Sequence, residues 1–194
     1  ELLSRLADED LPVAPAQLHG LYSALADLDP DDVTVPDDVR AVVDGDVQVG
    51  DATDALVADA PDLMPFAEGH PLLPVRPDRA AALSELLQVR RLSEVFPVTV
   101  PAGDGELREV PEGVRVLLPG APSTYVEHEE LVVGGVELDW RLDPEDGVLH
   151  AATLEGLAAG LAWAAGSWSR RFEAAALLED PDRTGELARA RWFD

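Results

Sequence analysis

The chain has no cysteine and no lysine, and its one methionine is Met64. Without thiols there are no disulfides, thiolate zinc sites or cysteine nucleophiles, a composition compatible with a reducing cytoplasm. All 14 basic residues are arginine. A chain without a compact, titratable amine has no Walker A lysine, no Schiff base and no lysine general base. Long apolar runs are also missing. GLAAGLAWAAGSW, residues 156–168, is thirteen uncharged residues bounded by Glu155 and Arg170, short of the roughly 20 that a bilayer requires. The chain starts at Glu1 with no initiator methionine; it is therefore expected to be a portion of a longer protein, and no secretory leader can be read from such a start.

Positive charge is scarce. Against 14 basic residues stand 39 acidic ones, a formal net charge of −25. Such a chain repels phosphate at long range, so nucleic acids and anionic membranes are excluded as expected partners. The acids are scattered over both halves instead of forming one tail, which favours a solubilising role over docking to a basic partner surface. What is present is a globular composition: 46% of the 194 residues are hydrophobic, enough to core one large domain or two small ones.

The expected class is α+β, a small mixed α/β lobe over residues 1–97 followed by an antiparallel meander with C-terminal helices over 98–194. In the first half, Glu1 to Ala7 reads as the end of a helix. Pro15 opens a second with Leu18, Leu21, Tyr22 and Leu25 on one face, stopped by DLDPDD. VRAVVDGDVQV predicts a hairpin around Gly45. Leu56–Ala58 and Leu72–Val75 read as neighbouring strands joined by a short helix between Ala60 and Gly69, and a helix over 78–88 follows. From Pro97 the pattern turns to β: PVTV, the loop AGDGE, then VRVLLPG and STYVEHEELVV. Gly134 and Gly135 predict a tight hairpin. Val136, Leu138, Trp140 and Leu142 alternate with Glu137, Asp139 and Arg141, which places the apolar set on a sheet face and the charges in water. PEDG turns the chain into a strand at Val148–Ala151.

Thr153 is positioned to cap a long helix running to Asp180 and Pro181, with Glu155 in its first turn. Leu154, Leu157, Leu161, Trp168, Phe172 and Ala175 form its apolar stripe, with Ala158 and Ala165 between them. Gly156 and Gly160 each cost about 1 kcal/mol relative to alanine in a helix, which implies a demand for close approach. The small-residue face is expected beneath Trp140 and Leu138.

Chemistry-bearing motifs are thin. In YVEHEEL, His128–Glu129 begins like a zinc-protease helix, but Val132 stands where the second histidine belongs. On a strand His128 and Glu130 would share one face and Glu127 and Glu129 the other, a two-ligand start at most. DGDVQVGD has Val49 in place of the glycine of a calcium loop and no closing glutamate at Ala55, and it reads as a turn. PGAPST lacks the lysine of a phosphate loop, and neither GxSxG nor GxGxxG occurs. The acid pairs Asp31–Asp32 and Asp37–Asp38 sit beside prolines as turn formers. Trp140, Trp163, Trp168 and Trp192 read as packing residues.

The runs DWRLDPEDGVLHAATLEGLAAGLAWAAGSWSRR, PGAPSTYVEHEELVVGGVELDW and DALVADAPDLMPFAEGHPLLPV resemble the C-terminal region of large high-GC bacterial proteins. Those proteins begin with a sacsin-type ATPase module, related to the ninety-kilodalton heat-shock chaperones and the GHKL group. The resemblance covers most of the chain and lies in overall wording, not in a catalytic motif. The family's nucleotide site needs an acidic, asparagine-bearing helix, a DxGxG segment and a glycine-rich lid, none of which is in this sequence. The resemblance implies a noncatalytic, cytoplasmic interaction or scaffold region, with an upstream ATPase module or protein clients as partners. No catalytic, cofactor-binding or metal residue and no cofactor are assigned. Two alternatives stand beside it: a metal-assisted enzyme using Glu127, His128 and Glu130, and an acidic inhibitor or immunity-type protein.

Overall fold

The computed structural model describes residues 13–29, 34–35, 37–96, 99–100 and 105–180. The protein is of the α+β class and divides into two compact units, Glu1–Pro97 and Val98–Asp194. The expectations for Glu1–Ala7, Asp31–Asp32 and Trp192 lie outside the described residues.

In the first unit, α1 spans Pro15–Leu25, and proline suits its first turn because that N–H has no intrahelical partner. Leu18, Tyr22 and Leu25 are buried, the one-face spacing expected of them. β1 (Asp38–Val43) and β2 (Asp46–Asp51) form the predicted hairpin, with φ of 49° at Asp44 and 93° at Gly45. β3 (Leu56–Ala58) and β4 (Leu72–Pro74) lie parallel, crossed over by a 3-10 segment at Pro61–Ala67. A 3-10 turn at Pro77–Arg79 leads into α2 (Ala80–Leu87), followed by β5 (Arg90–Arg91) and α3 (Leu92–Val95). The sheet order is β2-β1-β4-β3-β5. Tyr22, fully buried, donates its hydroxyl to the Arg40 carbonyl at 2.6 Å, tying α1 to β1.

The second unit differs from a simple meander. β6 (Glu106–Glu109), unanticipated in the sequence, is an edge strand of a four-stranded sheet ordered β10-β11-β7-β6. β7 (Thr124–Glu127) pairs antiparallel with β6 but parallel with β11 (Leu149–Ala151), and β10 (Trp140–Leu142) closes the other side. The sheet is therefore mixed. β8 (Val132–Val133) and β9 (Val136–Glu137) form a separate ribbon around the expected turn, with φ of 59° at Gly134 and 84° at Gly135.

VRVLLPG is not a strand. Glu112–Leu117 is a helix, α4, in which Val114, Leu117 and Leu118 are buried while Arg115 and Val116 face solvent. That is the i, i+3, i+4 spacing of a helix, and the V-R-V alternation hides it. Of the three charges expected in water, Glu137 and Asp139 are exposed but Arg141 is buried.

The long C-terminal helix is two helices. Thr153 caps α5 (Leu154–Ala164), accepting from the Gly156 amide at 2.9 Å. The helix stops where Gly166 takes φ of 64°; the Gly166 amide donates to Trp163 and the Ser167 amide to Ala162, a Schellman closure. A 3-10 turn at Trp168–Arg170 then starts α6 (Arg171–Glu179). The interruption breaks the expected stripe: Leu157 and Leu161 are buried, whereas Leu154 and Phe172 are exposed. The glycine face does meet the sheet. A Cβ on Gly160 would stand 2.9 Å from Trp140 Cε3, and one on Gly156 would collide with the Asp139 backbone instead of Leu138. No helix among the described residues is long and apolar enough to cross a membrane.

Candidate functional site

A cavity of about 890 Å³ opens in the second unit. β6 and β7 supply Glu106, Arg108, Tyr125 and Glu127 to its wall, and the segment after β7 supplies His128 to Val132. Thr153, Leu154 and Leu157 close it from the start of α5. Strand alternation sets this up: Glu106 is in register with Glu127 and Arg108 with Tyr125, so these four side chains share one face of the β6–β7 pair.

On that face Arg108 bonds Glu106 at 2.8 Å and Glu127 at 2.9 Å. The hydrogen bond that Arg108 donates to Glu127 raises the guanidinium pKa above its ordinary value. Burial, with the Glu127 charge behind it, pushes the Tyr125 hydroxyl up and keeps it neutral. Glu129 and Glu130 are exposed, and neither has an ion-pair partner among the described residues. The same wall carries aliphatic surfaces: Val132 is 52% exposed and Leu154 46%.

Glu127, His128 and Glu130 all line the cavity, but their side chains are engaged separately. β7 ends at Glu127, and the His128 amide carries its parallel ladder one residue further, so strand alternation reaches His128 but not the residues after it. Glu127 is engaged by Arg108, Glu130 is exposed in a loop, and His128 turns to His150. Among the described residues no group of three His, Asp or Glu could hold a metal ion.

The His128–His150 contact was not visible in the sequence. His128 Nε2 and His150 Nδ1 lie 2.9 Å apart and the ring centroids 5.2 Å apart, so the two nitrogens and the two ring centres fall close to one line. The contact exists because β7 and β11 run parallel, which a meander would not permit. Burial lowers both imidazole pKa values from 6.5; at His150 the neighbouring His128 lowers it further while Asp143 and Asp146 pull it upward. Asp143 is itself desolvated, which opposes ionisation, yet its pKa lies below the usual carboxylate value. Amides of Val100 at 2.7 Å and Glu145 at 2.8 Å hold its charged form.

Trp140, Trp163 and Trp168 pack within the second unit. Trp140 is buried against α5, and Trp163 meets Trp168 edge-on with centroids 5.7 Å apart. Arg171 lies over Trp168 at 4.6 Å.

No family model matches the chain, and neither a curated protein nor a solved structure matches it.

Proposed function

We propose that this chain is a noncatalytic interaction region of a chaperone-like, sacsin-type protein of the cytoplasm. Its second unit receives protein segments that carry cationic and aliphatic side chains together. The single observation behind this assignment is the composition of the cavity wall: the exposed carboxylates of Glu129 and Glu130 stand next to the exposed aliphatic surfaces of Val132 and Leu154. Arg108, the one arginine on the wall among the described residues, is already shared between Glu106 and Glu127. An incoming arginine or lysine therefore finds carboxylates without an internal competitor, and its neighbour in sequence finds apolar surface. The net charge of −25 draws such segments in from a distance and turns away phosphate-rich ones. The resemblance to sacsin-type proteins supports protein clients as the partner class.

The test is a titration of the full chain with a short peptide alternating arginine and leucine, followed by backbone amide shifts. Saturable shifts are expected at residues 127–132 and 153–157, lost in a chain carrying both Glu129→Gln and Glu130→Gln. Equal shifts with a glutamate–leucine peptide, or no saturation, would overturn the proposal.

A further inference from the structure

The sheet face turned away from α5 carries a second device. Trp140, Leu149 and Ala151 pack into the helical core, so strand alternation and register place Arg141, His150, Val126, Leu107 and Gly105 on the opposite face. His128 joins them at the end of β7, where its amide donates to the Ala151 carbonyl at 2.9 Å and extends the parallel ladder by one residue. Its ring lies on the backbone of Gly105, the residue that leads into β6. A Cβ at Gly105 would stand 2.6 Å from His128 Cε1 and 2.8 Å from Nε2. The same ring thus reaches β11 through His150 and seats the start of the edge strand.

Proton counting gives this arrangement three states. A neutral pair has two ring N–H groups, and one of them fills the bridge between Nε2 and Nδ1. One added proton makes an imidazolium that donates to the remaining lone pair, so the bridge survives as a charge-assisted bond. A second added proton leaves no lone pair in the bridge and sets two cations against each other across 2.9 Å.

We propose that the His128–His150 pair is a proton-operated latch on the β6 edge of the second unit: it holds with no or one added proton and opens when the second binds, freeing the Gly105 lead into β6. The surrounding charges set where it opens. Asp143 and Asp146 in the turn after β10 favour protonation of His150, whose register partner on β10 is Arg141. Glu129 and Glu130 follow His128 in the chain, while Glu127 of β7 and Glu106 with Arg108 on β6 lie on the other face of the sheet. Burial of both rings keeps the pair neutral at pH 7 and moves opening below the ordinary histidine range. The latch is internal to the second unit and does not rest on the proposed peptide binding, although His128 also lines the cavity.

The test combines imidazole NMR with amide-exchange protection of residues 106–109 in the intact chain across pH. Two separated histidine steps are expected, with β6 protection falling about tenfold at the lower one, the scale of a local opening. His128→Gln retains an amide donor toward His150 and removes the second protonation, so its β6 protection is expected to stay level through that range. The wild-type titration decides alone if the variant does not fold. Two independent histidines with one shared midpoint, β6 protection that follows the carboxylates, or a His128→Gln chain that loses protection as wild type does would each overturn the latch.

Discussion

Gly160 of α5 seats the Trp140 indole of β10: a side chain there would stand 2.9 Å from Trp140 Cε3 and would also overlap a Leu149 methyl. Both neighbours are buried core residues. Gly160→Val is therefore expected to destabilise the second unit by about 1–3 kcal/mol through overpacking. Chemical denaturation followed by tryptophan fluorescence measures it, because Trp140, Trp163 and Trp168 all belong to that unit. Helix propensity alone predicts the opposite sign, since leaving glycine gains up to about 1 kcal/mol.

Gln88 ends α2 in the left-handed region, with φ of 56° and ψ of 33°, and its side chain is exposed. Glycine adopts this conformation without the crowding of a Cβ. Gln88→Gly is expected to stabilise the first unit by up to about 1 kcal/mol. A higher midpoint for that unit in differential scanning calorimetry is the expected result.

Tyr22 anchors the first unit from the other side. Its pKa is raised well above the ordinary tyrosine value, by burial. Tyr22→Phe keeps the ring but leaves a buried carbonyl short of a donor. A loss of about 1–2 kcal/mol in urea-denaturation free energy is expected.

The local half of this architecture was legible in the sequence. Pro15, Gly45, the Gly134–Gly135 pair, Gly147 and Thr153 mark turns and caps through the chemistry of a single residue, and each sits where that chemistry places it. The failures are longer in range. The parallel pairing of β7 with β11 joins residues more than twenty apart and leaves no short signal; hence the partner of His128 was hidden. Gly166 belonged to a run read as a close-packing stripe, so its positive φ, which splits one helix into two, was overlooked. Of the candidate site, the acids around His128 were visible as a cluster. Their separation into an Arg108 clamp, a histidine pair and exposed loop carboxylates depends on where β7 stops.

The depressed histidine pKa values predict a pH dependence with a definite sign. Both histidines bind a proton less readily in the folded chain than the unfolded value of 6.5 allows. Their contribution to stability is full above pH 6.5 and is lost as pH falls from there through the folded pKa values. Asp143, whose folded pKa is lowered, adds a loss only below 3.8. Urea midpoints by tryptophan fluorescence are expected to drop as pH falls below 6.5, and His150→Asn is expected to flatten that fall while sparing the acid limb below 3.8.

Calorimetric titration of the full chain with the arginine–leucine peptide at low and high salt tests the proposed function most directly. The interaction is predicted to be saturable and to weaken steeply as salt shortens the screening length from about 30 Å at 0.01 M to about 8 Å at 0.15 M. It is also predicted to fall when Glu129 and Glu130 are both changed to glutamine. Binding that ignores salt and survives those substitutions, or no binding at low salt, would contradict it.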